Sequence, residues 1–297
     1  MAKLSLIPPS KYQRILIYGA PKTGKTQIAG AISSDFDITY VGNENGHGTL
    51  QKLPIEQQER IEVINLPDTK DFPIAAETML KLAKGDEYKV CQTHGKVNCM
   101  ACMKASLPVD TVYFNSRGPG HVVIYDSITQ LTSSLIAHIT KNQDDDYKLD
   151  YDDWGNLGKL MSIFLDRIQQ AQYHVICISH ETESELEDGK KRIVPVAGTR
   201  NFSRNTAKYF DHVIYAQVKN GKHVFSSSTT ADPNIVTGSR TNAALEKMTT
   251  PSLIDILKGN VPTNASPTPT QAAAASLNNL KLGSGNAAVN NPLNKPK

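Results

Sequence analysis

RILIYGAPKTGKTQIAGAIS, residues 14–33, runs a short apolar strand into a glycine-rich turn and the turn into a helix. Within it, GAPKTGKT (19–26) fits G-x-x-x-x-G-K-[ST] at every fixed position, with the strand before it and the helix after it that the pattern requires. The glycines let backbone N–H groups turn toward an anion, and the helix N-terminus adds a favourable field. Such a string arises by chance in roughly 1% of chains of this length, and the flanking elements remove most of those coincidences. Gly19, Ala20, Pro21, Lys22, Thr23, Gly24, Lys25, Thr26 and Gln27 are therefore expected to hold ATP. Lys25 would reach the β- and γ-phosphates, and Thr26 would ligate Mg²⁺.

Outward from that loop, ITYV (38–41), IEVINL (61–66), HVVIYD (121–126), HVICIS (174–179) and HVIYAQV (212–218) read, like RILIY, as strands buried on both faces. Between them, Leu157, Leu160, Met161, Phe164, Leu165 and Ile168 fall on one helical face. Strands alternating with helices predict an α/β fold, a mostly parallel sheet with helices on both faces. HVVIYD ends in Asp126, a carboxylate placed to hold Mg²⁺ through water; the plainer alternative is an N-cap for the next helix, TQLTSSLIAHI.

The 297 residues hold 39% hydrophobic and 21% charged residues, ordinary for a globular chain. No apolar run reaches bilayer length, and MAKLSLIPPSKYQR carries no secretory signal pattern, so a cytoplasmic protein without membrane contact is expected. The net charge of +3 is matched by Lys281, Lys295 and Lys297 in a stretch without acids after Gly259, so bulk charge gives no argument for nucleic acid. Residues 1–258 are read as one ATPase domain, and 259–297, rich in Pro, Asn, Ala, Ser and Thr, as a disordered tail. DDDYKLDYDD (144–153) reads as an exposed acidic loop, and residues 85–108 show no clear period.

That stretch of 85–108 contains CQTHGKVNCMAC (91–102), which sets Cys91, His94, Cys99 and Cys102 at C-x2-H-x4-C-x2-C. Two ligands on each knuckle suit one tetrahedral Zn²⁺, and four protein ligands make it structural. The zinc would staple an insertion too small to fold alone. The fourth cysteine, Cys177 within HVICIS, reads as a core residue.

The order of motifs from Arg14 to about Lys219 resembles the RecA-type recombinase core, about two thirds of the chain. It is similar in particular to the short phage ATPases of that group, AAA-type nucleotide-binding proteins that assist single-strand annealing. YVGNE (40–44) matches the strand whose terminal acid orients the attacking water, which implies Glu44 as the catalytic carboxylate beside Lys25 and Asp126. YDSITQL (125–131) resembles the Walker B strand and the helix start after it. WGNLGKLMSIFLDRI (154–168) resembles the long helix that follows. ICISHETE (176–183) resembles the strand whose last polar residue senses the γ-phosphate, with His180 where recombinases usually carry Gln. RNTAKYFDHVIYAQVKN (204–220) resembles the closing helix–strand segment.

The resemblance also implies two loops that grip single-stranded DNA, near 140–153 and 181–203. The second region carries Lys190, Lys191, Arg192, Arg200 and Arg204 for phosphates and Phe202 for stacking; a merely soluble basic hairpin tip is the alternative. The six aspartates of 144–153 should repel phosphate. A filament or ring of identical chains is implied, with Lys219, Lys222 or Arg240 as the basic residue supplied across a subunit boundary. The activity implied is DNA-stimulated ATP hydrolysis in phage recombination or repair, in a host cytoplasm, with a single-strand-binding protein as a further partner. Against the pattern of full-length recombinases, the sequence is expected to carry neither a substantial N-terminal oligomerisation domain nor a folded C-terminal DNA-binding domain. A P-loop ATPase of another class (helicase-type, packaging or partition motor) and a non-enzymatic, nucleotide-switched scaffold stay open as alternatives.

Overall fold

Ile15 and Ile17 face one apolar cluster and Leu16 and Tyr18 another, the period-2 signature of a strand covered on both sides. The computed structural model describes residues 3, 6, 10–44, 46–185, 189–227, 232–240 and 251–259. In chain order the first elements are β1 (Arg14–Gly19), α1 (Lys25–Ala31), β2 (Asp37–Gly42), α2 (His47–Leu50), α3 (Ile55–Gln58), β3 (Ile61–Asn65) and α4 (Ile74–Leu82). Next come β4 (Glu87–Cys91), α5 (Met100–Lys104), β5 (Val109–Tyr113), β6 (His121–Asp126), α6 (Ile128–Thr140) and α7 (Tyr151–Gln170). The last are β7 (His174–Ser179), β8 (Glu181–Glu185), β9 (Lys191–Pro195), α8 (Arg200–Asn205), β10 (His212–Lys219), β11 (Lys222–Ser226), β12 (Gly238–Ser239) and α9 (Leu253–Lys258).

The main sheet has the order β11-β10-β1-β7-β6-β2-β3, with β12 also on β10. The six strands from β10 to β3 are parallel, and β11 and β12 join β10 antiparallel. Residues of α4, α6 and α7 fill the cluster on one face, and residues of α1 and α9 that on the other. The expected α/β architecture is therefore present: a mostly parallel sheet clad on both sides. On α7, Leu157, Met161, Phe164, Leu165 and Ile168 are fully buried, and each contributes roughly 1.5–3 kcal/mol of transfer energy against leaving it exposed. Cys177 is buried in the same cluster.

Several expectations need correction. IEVINL is not covered on both faces: β3 is the edge strand, and its Glu62, Val63 and Asn65 are exposed because no strand lies beyond it. The acidic stretch is not all loop. Asp150 caps α7 by accepting from the Asp153 N–H, and the Asp153 side chain answers to the Asp150 N–H, so 151–153 are the first helical turn. Acids there complement the helix dipole. The region 85–108 is not aperiodic either: β4 and β5 pair antiparallel around the cysteine–histidine turn, with α5 between them. Val90 and Val97, with Val112 of β5, join the main core, and Thr78 Oγ1 donates to the Gly95 carbonyl at 3.0 Å.

The sequence reading also missed β11. The signal was present: Asn220 (φ 51°) and Gly221 (φ 71°) form the two-residue left-handed turn that closes a hairpin with β10. The chain divides into Met1–Val261 and Pro262–Lys297. Gly259 caps α9 in a left-handed conformation, and the rest of the expected tail lies outside the described residues. Among the described residues no helix is long and apolar enough to cross a membrane.

Candidate functional site

Four parallel strands end together at one edge of the sheet. β1 leads into 19–26, β2 into Asn43 and Glu44, β6 ends at Asp126, and β7 is followed by His180. Register fixes their levels: Gly42 pairs with Asp126, Asp126 with Ile178, and Tyr18 with Ser179. Because β7 lies between β1 and β6, His180 falls between the phosphate loop and Asp126. Pro21 to Gln27, Glu44, Asp126 and His180 line one cavity of about 450 Å³. Thr49, Lys52 and His223, which the sequence reading did not single out, complete much of its wall.

The loop backbone passes close to β10, since a Cβ on Gly19 would lie 2.0 Å from the Ala216 carbonyl oxygen. Only glycine fits that approach. Gly19 and Ala20 do not line the cavity; their carbonyls accept from Lys25 Nζ at 2.9 and 2.7 Å. Those bonds hold the buried ammonium inside the curve of the loop. Burial lowers the Lys25 pKa, while Asp126 and Glu44 oppose that shift. The lining sets three lysines (Lys22, Lys25, Lys52) against two carboxylates (Glu44, Asp126), an excess of one positive charge with histidines neutral. That sign suits a polyanion.

Asp126 is almost fully buried, and burial pushes its carboxyl above the ordinary range. Two donors restrain it on one oxygen: Thr26 Oγ1 at 2.7 Å and Tyr40 OH at 2.8 Å both bond Oδ2. A hydroxyl beside a carboxylate is a hard-oxygen donor pair, which fits Mg²⁺. Asp126 does not cap α6. Ser127 does, its Oγ accepting from the Gln130 N–H at 3.1 Å. The same hydroxyl donates to Glu44 Oε1 at 2.6 Å. His180 Nε2 stands 3.5 Å from that oxygen. The imidazole first, and Ser127 in support, hold Glu44 below the usual carboxylate range against the effect of burial. His180 Nδ1 is buried without a hydrogen-bond partner among the described residues. The site thus joins a loop of the P-loop pattern, an oxygen pair that could hold a cation and a depressed carboxylate.

A second cluster lies in the insertion. The ligand atoms of Cys91, His94, Cys99 and Cys102 all lie within 4.8 Å of one another and could hold a metal ion. His94 Nδ1 is 3.7, 3.7 and 3.2 Å from the three sulfurs in turn. A tetrahedral zinc with ordinary bond lengths would set sulfur and nitrogen about 3.6 Å apart. The Cys102 backbone N–H draws the Cys99 thiol down to about 6, while burial and its sulfur neighbours push Cys102 up to about 11. A bound metal would require these thiols deprotonated.

The six residues expected to meet DNA lie on the β8–β9 hairpin and α8, in varied settings. Lys191 pairs with Glu183 at 2.8 Å. Arg204 bonds Ser184 Oγ at 2.6 Å and also the Glu185 carbonyl. Phe202 packs on the core and stacks on Tyr209, ring centroids 6.1 Å apart. Lys190, Arg192 and Arg200 are exposed. Arg200 shares an open recess of about 680 Å³ with Tyr151 and Trp154, aromatics 91% and 44% exposed that the sequence reading left unassigned. Of the acids nearby, Asp145 pairs with Lys70, and Asp150 and Asp153 are tied into the helix cap. Lys219 and Lys222 flank the hairpin turn at the phosphate-loop end of β10, whereas Arg240 follows β12 at the other end of β10.

A family model described as AAA domain matches residues 11–241. No curated protein matches the chain. Among solved structures, the chain is similar to a prototypical ATPase from the type III secretion system of pathogenic bacteria, with a TM-score of 0.43 and 14% identity. That match covers 79% of this chain and 61% of the secretion ATPase, so this chain spans less than two thirds of its length.

Proposed function

The chain belongs to the AAA-domain family of P-loop ATPases, and on that premise we propose that it hydrolyses ATP with Mg²⁺ and couples the reaction to single-stranded DNA. The observation that carries the hydrolytic part is the convergence of Lys25, Thr26, Asp126 and Glu44 on one cavity. Bound ATP would supply the phosphoanhydride, and Mg²⁺ would offset its charge. Lys25 would move from the Gly19 and Ala20 carbonyls to the β- and γ-phosphate oxygens. Thr26 and Asp126 would hold the cation, Thr26 directly and Asp126 through water, while Tyr40 keeps Asp126 Oδ2 engaged. Glu44, kept ionised beside His180, would accept the hydrogen bond that aims water at the γ-phosphorus. His180 would meet the γ-phosphate through its unpartnered nitrogen.

The DNA part rests on Lys190, Arg192 and Arg200 with the exposed Tyr151 and Trp154, a set that offers cations for phosphates and rings for bases. Zinc in the Cys91–His94–Cys99–Cys102 cluster would be structural, its shell closed by four protein ligands. Assembly into a ring or filament, recombination or repair as the setting, and a phage as the source belong to the same reading, through the recombinase resemblance. Steady-state hydrolysis by the full chain, with and without single-stranded DNA, tests it. Stimulation by DNA that vanishes in Lys25→Ala is expected. Turnover indifferent to DNA would remove the DNA part and leave the ATPase.

A further inference from the structure

The phosphate cavity has a neighbour. A smaller recess of about 240 Å³ opens beside it, lined by Gly24, Gln27, Ile28, Ala31, His223 and Phe225. Gly24, Gln27 and His223 line both spaces, so one extended ligand can occupy the two at once. We propose that this recess is the nucleobase subsite, and that His223 is the residue that holds the base. The assignment rests on the nucleotide reading above and deepens it.

Position supports it first. A ligand continuing from phosphates seated on 19–26 can run along α1, where Gln27, Ile28 and Ala31 follow Lys25 toward the C-terminal end of the helix and line the adjoining recess. Chemistry supports it next. Ile28, Ala31 and Phe225 give an apolar wall, and the imidazole of His223 gives a flat ring beside it. Sites for whole drug-sized ligands take roughly 300–1,000 Å³, so 240 Å³ suits one part of such a molecule, a heterocycle.

The placement of His223 is built into the fold. The Asn220–Gly221 turn folds β11 back on β10, with Val218 opposite His223 and Ala216 opposite Phe225. Successive strand residues alternate in direction, so His223 and Phe225 project to the same side, over α1. The ring also rests on the phosphate loop: a Cβ on Gly24 would lie 3.2 Å from His223 Nδ1. Phosphate cradle and base wall therefore adjoin.

Recognition of this kind relies on stacking. Among the described residues lining the recess, only Gln27 and His223 carry polar side chains, too few to read the edge of a base with the strictness of a fully hydrogen-bonded site. Purine triphosphates should therefore bind with similar affinity, and inorganic tripolyphosphate, which fills only the cradle, more weakly.

Calorimetric titration of the full chain with Mg²⁺ and ATP, GTP or tripolyphosphate, in the parent and in His223→Ala and His223→Phe, tests the assignment. His223 is exposed, so both variants should fold. The expected result is about a ten-fold loss of ATP and GTP affinity in His223→Ala, in line with the loss of one stacked base. Tripolyphosphate affinity stays unchanged, and ATP affinity returns in His223→Phe. Equal weakening of ATP and tripolyphosphate would make His223 a phosphate contact and overturn the subsite. So would unchanged ATP affinity in His223→Ala, with the nucleotide reading still standing. A parent chain that binds no triphosphate at all would remove that reading and the subsite with it.

Discussion

At the phosphate loop the working side chains hang from parallel strands whose backbone partners fix them from both sides, while in the insertion four ligand atoms gather at the end of a two-stranded ribbon. Short bonds seat each group separately: Lys25 on the Gly19 and Ala20 carbonyls, Thr26 on Asp126, and Ser127 on Glu44, in a lining whose charges nearly balance. The cluster of Cys91, His94, Cys99 and Cys102 is bound differently, because three crowded sulfurs face one imidazole, with the Cys102 N–H beside Cys99. The first arrangement is held by the fold and lends itself to function. On the zinc reading, the second would need its metal in order to hold the fold. Substitutions in the two regions should therefore separate activity from stability in opposite senses.

Lys25→Ala should show the largest effect. Removing the ammonium takes away the main positive charge on the transferring phosphoryl group, so hydrolysis should fall by about 10³-fold or more. The sheet around it keeps its packing, and Tm should move by less than about 4 °C. Paired turnover and thermal-unfolding measurements check this, and a large drop in Tm would erase the proposed separation. Glu44→Gln comes next. It keeps the shape and a hydrogen bond to Ser127 but loses the basic oxygen, which should cost about 10²-fold in kcat with nucleotide binding retained. Loss of binding in step with kcat would instead give Glu44 a structural part.

How much of this was legible follows the same division. The loop at 19–26, the buried strands and Asp126 at the end of HVVIYD are local patterns, and each is visible in consecutive residues. Thr49, Lys52, Tyr40 and His223 reach the site only through long-range register, which no window of sequence displays. His223 could have been approached, since Asn220–Gly221 between apolar runs announces the hairpin that carries it. The capping function of the acids at 150–153 was legible in principle too: an acid with another three residues on, ahead of an apolar helix, is a start signal. It was hidden by reading the run as a charge block. Phe202 shows the opposite limit, because an aromatic in a basic stretch gives no hint that its ring stacks on Tyr209.

Cys102→Ser breaks the other side of the comparison. Loss of one ligand from a closed shell should cost about 2 kcal/mol, lowering Tm by about 6 °C in a domain of this size. Because Val90, Val97 and Val112 tie the insertion to the main core, the drop should appear in the main transition rather than in a separate one. A strong chelator should give the parent the same drop and the variant none. Metal analysis should find zinc in the parent near one per chain. Stability and metal content that ignore both treatments would show four reduced side chains and no site.

His180→Gln should have the smallest effect, and it probes how the fold tunes the phosphate site. The imidazole is the main reason that Glu44 sits below the ordinary carboxylate pKa, with Ser127 second and burial opposing both. A carboxylate depressed in the folded state adds stability above its unfolded pKa, and that stability is lost as pH falls through the folded value. The variant should therefore lose a little stability at neutral pH, under about 1 kcal/mol because the pair is partly solvent-screened, and the difference should fade in acid. Activity carries the same sign. With the imidazole gone, burial acts against Ser127 and the Lys25 charge only and the Glu44 pKa rises, so the acid limb of the kcat profile should move toward neutral pH. The glutamine amide can still donate to the γ-phosphate, so the plateau rate should fall far less than in Glu44→Gln. An acid limb that stays in place would mean that Glu44 is not the group titrating in catalysis, and the water-orienting part would have to be sought elsewhere on the cavity wall.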